Sequence, residues 1–213
     1  MTAVGRRVFL AGVAASAALV LAGDGVPAAL RKWVEAPLSD LSPGDGFHFY
    51  SVTGSIPTPD PAWTLRIDGL VDNPLSVALA DFAAPNAVEV RTDFHCVSGW
   101  SVAGVRWRGL ALSGLLDAAR PQAEARAVRF ESADGVYVDY LDIVVARARG
   151  VLIASWLNGR PLAPERGAPA RLVVPFYYGY KGVKWLRRVS LVAAAGTGYW
   201  EARGYDADAR IRD

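Results

Sequence analysis

The single cysteine of this 213-residue chain, Cys96, lies in the stretch with the densest set of chemically useful side chains. His95 precedes it, and Trp100 and Trp107 follow closely. A free cysteine is most often a small buried apolar residue, so packing alone is one interpretation of Cys96. The other is a reactive or metal-binding thiol, which proteins tend to place on loops.

The elements around Cys96 favour the second interpretation. Residues 87–94 form a β-type run that leads the cysteine into a polar turn rich in Gly, Ser and Trp. A short helix is predicted over residues 112–119, closed by Pro121. We therefore expect the thiol at the end of a strand, on a loop.

Two segments of this region, D-F-H-C-V-S-G-W-S (93–101) and W-R-G-L-A-L-S-G-L-L (107–116), resemble the molybdenum-cofactor domain of the sulfite oxidase superfamily. They are similar to the bacterial branch that includes the catalytic subunit of periplasmic protein-methionine-sulfoxide reductase. The resemblance implies an α+β fold of mixed β-sheets with short helices. It also implies a molybdenum–molybdopterin cofactor whose metal is bound directly by Cys96. Thiolate is a soft ligand and suits such a metal.

A second block, residues 164–191, resembles the family's cofactor-binding motif and contains R-L-V-V-P followed by G-Y-K-G-V-K-W. The pterin ends in a phosphate, for which Arg offers a planar fork of donors and Lys a point charge. The Gly-rich loop 179–184 can add backbone N–H groups. The alternative, a solvated basic edge, is favoured for Arg187 and Arg188. The cofactor-binding residues that the resemblance implies here are Arg166, Arg171, Gly182, Val183 and Lys184. Arg166 stands where relatives usually carry Asn or His.

Three further cofactor contacts are implied by the resemblance on looser matches. Tyr50 and Ser51 belong to a short strand candidate at residues 47–53, which could equally be an edge strand with ordinary aromatics. Ser132 ends the strand predicted at residues 127–131 and matches a cofactor-contacting hydroxyl. On its own, a Ser before an Asp-Gly pair is most simply a turn residue.

The substrate side departs from sulfite oxidases, which carry arginines shortly after the molybdenum cysteine. Residues 97–101 have no charge here, and Lys181 is the one cation that matches the substrate arginine of those enzymes. Trp100 and Tyr178, with Tyr177 and Tyr180, would form an aromatic mouth suited to a neutral or thioether-like substrate. The catalytic candidates are Cys96, Trp100, Tyr178 and Lys181.

Residues 1–30 read as a targeting segment rather than as part of the fold. Arg6-Arg7 followed by Val-Phe-Leu matches a twin-arginine export signal, and the apolar run at 8–22 is shorter than the ~20 residues of a spanning helix. A short membrane anchor or an ordinary secretory signal is the alternative. Residues 31–213 are then expected to form a single exported, periplasmic domain.

Composition narrows the possible partners. The net charge is +2, with no basic tail or acidic run, so nothing indicates nucleic-acid binding. One cysteine excludes an internal disulfide and any Cys-rich zinc or iron–sulfur site. No C-x-x-C-H motif for covalent haem occurs. A separate electron-transfer partner is expected, for instance a haem-containing membrane protein. The charged residues 206–213 are predicted to fray.

These patterns predict an exported molybdopterin oxidoreductase that carries out two-electron oxygen-atom transfer. Its substrate would be a small-molecule or protein sulfoxide, or a similar sulfur-centred compound. Two alternatives stay open: sulfite oxidation, and a molybdopterin-binding subunit of a redox complex without turnover of its own.

Overall fold

A computed structural model describes residues 46–83 and 85–212 of the chain. The predicted targeting segment, residues 1–30, lies outside the described residues. The described part consists of two β-sheets joined by short helices and irregular segments. The predicted α+β class with mixed sheets is confirmed.

The first sheet has five strands in the order β2-β1-β10-β5-β6. Parallel pairing of β1 with β10 joins two antiparallel hairpins. Leu65 and Ile67 alternate with exposed Thr64 and Arg66, as the period-two pattern predicts. The strands span Thr64–Gly69 (β1), Leu75–Ala78 (β2), Ala127–Ser132 (β5), Val138–Asp142 (β6) and Leu186–Val192 (β10).

The second sheet carries the cysteine, in the order β3-β4-β7-β8 with β9 also pairing with β7. Its strands span Val88–His95 (β3), Ser101–Ala111 (β4), Leu152–Leu157 (β7), Arg160–Pro161 (β8) and Arg171–Val173 (β9). The run predicted at residues 87–94 is β3, so Cys96 directly follows a strand. The sequence analysis missed β4, although its buried Val105 and Trp107 alternate with Arg106 and Arg108.

The helices are short. The helix α1, Leu112–Ala119, has the predicted bounds and ends at Arg120 in the left-handed conformation. The helix α2, Ile143–Ala146, is capped by the Asp142 carboxylate, which accepts a hydrogen bond from the Val144 N–H at 2.7 Å. Single 3-10 turns lie at Leu79–Ala83, Pro164–Arg166, Gly179–Lys181 and Glu201–Arg203. No helix in residues 46–83 and 85–212 is long and apolar enough to cross a membrane.

Two apolar cores support this arrangement. The larger lies against the first sheet and α1 and includes Leu65, Leu116 and Phe130. The smaller lies beneath the Cys96 hairpin and includes Phe47 and Trp107, whose ring centroids are 6.1 Å apart. This smaller core therefore supports the hairpin that carries the cysteine.

Two predictions made from the sequence are wrong: the strand at residues 47–53 and the fraying of the C-terminal tail. Residues 47–53 form no strand, because Phe47 is anchored by burial against aromatic rings rather than by a hydrogen-bonded ladder. The tail does not fray over its described part, since Ala209 is 1% exposed and Ile211 N–H donates to the Phe176 carbonyl at 3.1 Å.

Candidate active site

Cys96 lies at the tip of the β3–β4 hairpin, half-buried. Its N–H donates to the Trp100 carbonyl at 2.9 Å, and its carbonyl accepts from the Gly99 N–H at 3.0 Å, so the tight turn fixes its backbone. Its Sγ is 3.1 Å from Ser98 Oγ. His95 faces Ser101 instead, with 2.9 Å between Nδ1 and Oγ. The thiol is thus held at a loop tip, as expected from the sequence.

An aromatic cluster surrounds the next site candidate, Trp100. The His48 ring stacks on it at 4.6 Å and an interplanar angle of 15°, and Phe94 lies 5.4 Å away. The exposed Tyr50 ring runs parallel to it at 6.5 Å. Trp100 Nε1 is buried and has no hydrogen-bond partner among the described residues. The structure therefore brings Trp100 and Tyr50 together near Cys96.

Arg171 is buried at the start of β9 and ties two loops together. Its Nη1 donates to the Arg166 carbonyl at 3.0 Å, and its Nη2 donates to the Gly182 carbonyl at 3.3 Å. Its guanidinium lies 5.1 Å from the centre of the Trp107 ring. Arg171 Nε and Trp107 Nε1 are buried donors without a partner in the described part of the chain. Two orphaned donors at one place are unusual and point to a missing acceptor.

Lys184, the last residue of the 179–184 loop, lies near Arg171 and Arg166. Its ammonium donates to the Tyr50 carbonyl, and to the Glu165 carbonyl at 3.3 Å, and lies 4.4 Å from the centre of the Trp185 ring. Trp185 has a left-handed φ of 51° and is held there by its Nε1–H, which donates to the Pro164 carbonyl at 2.7 Å. Such a conformation in a bulky residue is a feature of functional sites.

Arg166, Arg171 and Lys184 form a cluster of three cations, called here the cation cluster. Burial, together with the charge of Arg166, lowers the pKa of Arg171 to about 10. Burial, together with the charges of Arg171 and Arg166, lowers the pKa of Lys184 to about 7. Arg166 also donates to the Phe47 carbonyl at 3.3 Å and lies over the Phe47 ring. Mutual repulsion at a buried site is relieved by an anion, so the cluster fits an anionic group.

A small cavity lies between Arg171 of the cation cluster and the two strands of the Cys96 hairpin, and Cys96, Arg166 and Lys184 are not among its lining residues. It is lined by residues of three segments: Phe94 and Trp107, Arg171 and Leu172, and Tyr177 to Gly179 with Gly182. A Cβ at Gly182 would lie 3.0 Å from the Leu172 carbonyl and 3.1 Å from Arg171 Nη2, tighter than an ordinary contact, so glycine suits this close approach. Val183 is fully buried, and its carbonyl accepts from the Leu172 N–H at 2.9 Å. Both residues therefore shape the loop rather than expose side chains to a ligand.

The two serine candidates make local hydrogen bonds. Ser51 Oγ donates to the Ser55 carbonyl at 2.7 Å. Ser132 Oγ accepts from the Asp134 N–H at 3.2 Å, as expected of a turn residue. Ser132 pairs with Leu186 across the first sheet, two residues beyond Lys184, so its turn does lie beside the cation cluster.

Lys181 is not brought to this cluster. Its buried ammonium is 2.5 Å from Asp139 Oδ1 on β6 and also pairs with Glu201 of the C-terminal 3-10 turn. Burial raises the pKa of Asp139 to about 6 despite the neighbouring Lys181. Since two carboxylates already neutralise it, Lys181 presents no spare positive charge to an anionic substrate.

Sequence reasoning missed several residues that shape the site. The rings of Trp107 and Phe47 pack against the guanidinium groups of Arg171 and Arg166, respectively. The alternation of Trp107 with polar neighbours along the sequence could have indicated that its side chain points inward. Asp139 and Glu201 had no such signal, because they lie 42 and 20 residues from Lys181 in sequence.

Comparisons with known proteins agree with this geometry. Residues 53–200 match the family described as oxidoreductase molybdopterin binding domain. The chain is 35% identical over 143 residues to the uncharacterized oxidoreductase YuiH of Bacillus subtilis, covering 67% of this chain and 72% of YuiH. It is 36% identical over 157 residues to the protein-methionine-sulfoxide reductase catalytic subunit MsrP of Pseudomonas syringae, covering 66% of this chain and 46% of MsrP.

Two further matches are to proteins whose names indicate other reactions. The chain is 32% identical over 193 residues to a nitrate reductase [NADPH] of Fusarium oxysporum, covering 74% of this chain and 21% of that enzyme. Among solved structures, the sulfane dehydrogenase SoxCD of Paracoccus pantotrophus has a TM-score of 0.59 at 24% identity. That likeness covers 67% of this chain and 41% of the other, and it supports the fold.

The chain therefore belongs to the oxidoreductase molybdopterin binding domain family, within the sulfite oxidase superfamily. It is an oxidoreductase of the molybdopterin-dependent class. The chain spans less than half the length of MsrP and about a fifth of that nitrate reductase.

Proposed function

We propose that this chain catalyses two-electron oxygen-atom transfer on a sulfur-centred substrate, in the manner of a sulfoxide reductase. The observation that carries the proposal is the cation cluster, in which Arg171 lies against Trp107 of the strand that follows the Cys96 turn. The orphaned donors at this contact, Arg171 Nε and Trp107 Nε1, suit an oxygen-rich anion such as the terminal phosphate of a pterin cofactor. The name of the relative MsrP supports a sulfoxide substrate.

The residues present fit a molybdenum–molybdopterin cofactor. Cys96 would ligate the metal, and Arg166, Arg171 and Lys184 would hold the phosphate. The pterin itself would be contacted by Tyr50, Ser51 and Ser132, and by Gly182 and Val183 through the backbone of their loop. When bound, such a cofactor supplies reversible two-electron chemistry with transfer of an oxygen atom.

The chain's own groups prepare the site for that chemistry. Ser98 Oγ, at 3.1 Å, can donate a hydrogen bond to Cys96 Sγ and fix the direction of the sulfur. The rings of His48 and Tyr50, both exposed, lie parallel to the Trp100 ring and form an aromatic surface beside the hairpin. Tyr178 lines the cavity and supplies an aromatic wall with a hydroxyl group.

The charge distribution favours an uncharged substrate. The loop after Cys96, residues 97–101, carries no charge, and Lys181 is neutralised by Asp139 and Glu201. A small-molecule or protein sulfoxide suits these surroundings better than sulfite does. Sulfite oxidation is the second candidate, and a cofactor-binding subunit without turnover is the third.

Purified, cofactor-loaded protein with a dye electron donor or acceptor separates the three. We expect reduction of an aryl methyl sulfoxide, and little oxidation of sulfite. Cys96→Ser should abolish turnover while X-ray absorption shows one fewer Mo–S contact, because a hard hydroxyl replaces a soft thiolate. Sulfite turnover alone would support the second candidate, and no turnover of either would support the third. An unchanged sulfur count would remove Cys96 from the metal.

We also propose that residues 1–30 are a twin-arginine signal and that residues 31–213 form one periplasmic domain. Export in a folded state suits a protein whose cofactor is inserted in the cytoplasm. Electrons would pass to or from a separate partner, of which a haem-containing membrane protein is the expected type. Arg6-Arg7→Lys-Lys should leave folded, loaded protein in the cytoplasm, and normal export of that variant would contradict the signal assignment.

A further inference from the structure

The segment that follows the last strand, residues 198–212, is called here the C-terminal strap. It contributes to neither β-sheet, and all but its first three residues lie beyond the family match at residues 53–200. Its first anchor is Glu201, whose Oε1 accepts from Lys181 Nζ while its Oε2 accepts from the Gly198 N–H. Asp139 holds the same ammonium at 2.5 Å from β6. The strap is thus tied by a buried ion pair to the loop that also carries Gly182.

The second anchor involves Tyr180, in the middle of that loop. Its hydroxyl donates to the Asp206 carbonyl at 2.6 Å, and its ring packs edge-to-face on Tyr205 at 5.4 Å. Its own carbonyl accepts from the Tyr137 hydroxyl. Tyr180 is therefore held between the strap on one side and the first sheet on the other.

The third anchor is backbone pairing, as between two short antiparallel strands. Tyr178 N–H donates to the Ala209 carbonyl at 2.8 Å, and Ile211 N–H donates to the Phe176 carbonyl at 3.1 Å. Tyr177 and Arg210 form the bridge between them. Ala209 is only 1% exposed, so its small side chain is required for the close approach.

All three anchors hold the segment 176–182, which forms one wall of the cavity through Tyr177, Tyr178 and Gly179. We propose that the three anchors of the C-terminal strap position the Tyr177–Tyr178 wall and thereby set the affinity for the substrate. The anchor residues act through this wall and are positioning residues. The substrate part of this inference rests on the proposed function, whereas the positioning part does not.

The test compares two alanines of the strap in cofactor-loaded protein. Ala209→Leu forces a larger side chain into a buried position, and Ala207→Leu makes the same change at an exposed one. We expect Ala209→Leu to raise KM for an aryl methyl sulfoxide about tenfold, with a smaller change in kcat. We also expect faster hydrogen exchange at the amides of Tyr178 and Ile211. Ala207→Leu should change neither quantity.

Equal KM and equal exchange in the two variants would overturn the proposal, and a change in thermal stability alone would mark the strap as purely structural. If Ala209→Leu does not fold, Tyr180→Phe removes only the hydrogen bond to Asp206, with Tyr140→Phe, outside the strap, as its control. Hydrogen exchange needs no cofactor and no turnover. If wild-type protein carries no molybdopterin, the proposed function and the substrate part fail together, while exchange still decides whether the strap positions the wall.

Discussion

Two lysines only three residues apart, buried Lys181 and half-buried Lys184, have opposite surroundings. Lys181 pairs with the carboxylates of Asp139 and Glu201, so its positive charge is neutralised by other residues of the chain. Lys184 meets backbone carbonyls and the positive charges of Arg171 and Arg166, which outweigh the opposing effect of Glu165 and Asp134 on its pKa. Burying a charge is costly unless it is paired. The first lysine therefore stabilises the fold, and the second marks where an anion from outside the chain is expected to bind.

Removal of each lysine's charge in turn should give the largest difference between the two sites. Lys181→Met leaves two carboxylates buried without their cation, and we expect a loss of about 3–5 kcal/mol in the free energy of unfolding. Lys184→Met removes a repelled cation, and in cofactor-free protein it should cost less than about 1 kcal/mol or stabilise. Urea unfolding of both variants measures the difference. Equal losses would contradict the distinction between the two lysines.

Asp139, one of the two carboxylates that pair with Lys181, should make the free energy of unfolding depend on pH. Burial raises the pKa of Asp139 to about 6 against an ordinary value of 3.8, with Lys181, Glu201 and Tyr137 facing it. The folded state then binds the proton more tightly, so stability falls by about 2–3 kcal/mol as pH rises from 4 to 7. Asp139→Asn should flatten that fall. Unfolding curves at several pH values check it, and identical pH slopes in the two proteins would refute it.

A smaller effect is expected at Lys184. Because the pKa of Lys184 is lowered to about 7, cofactor-free protein loses this proton as pH rises above neutral. Sulfate, whose charge is constant over this range, should therefore bind more weakly at higher pH, by up to roughly tenfold per pH unit. In Lys184→Arg, which stays charged, calorimetric titrations should show a nearly flat profile. A flat profile in wild-type protein would show that Lys184 takes no part in anion binding.

Much of the site's framework could be predicted because its signals are local. The β-type run before Cys96 and the apolar period of Leu112–Ala119 identify the first strand of the hairpin and the helix that follows its second strand. The Arg, Gly and Lys residues of the 164–191 block lie close in sequence, and the fold brings Arg171 and Lys184 within reach of each other's charge.

The features that could not be predicted depend on contacts between residues far apart in the sequence. Lys181 was predicted to be a substrate-site cation by its match to the sulfite oxidases' arginine, since nothing near it in sequence indicates its pairing with Asp139 and Glu201. Residues 47–53 looked like a strand because aromatics are enriched in strands, whereas Phe47 is held by the smaller core. The tail looked solvated by its charges, although buried Ala209 and backbone pairing hold it in place.

The central claim is that the cation cluster binds the anionic end of the molybdopterin cofactor. It is tested most directly by measuring molybdenum and pterin per chain in purified Arg171→Ala and Lys184→Ala, with exposed Arg187→Ala as the control. Each charge-assisted hydrogen bond contributes about 1.5–3 kcal/mol, so either loss should weaken cofactor retention roughly 10- to 150-fold. Arg171→Lys should also be costly, because an ammonium cannot reproduce the guanidinium fork. Depleted cofactor in both alanine variants and full occupancy in Arg187→Ala is the predicted result. Full occupancy in all three would contradict the account.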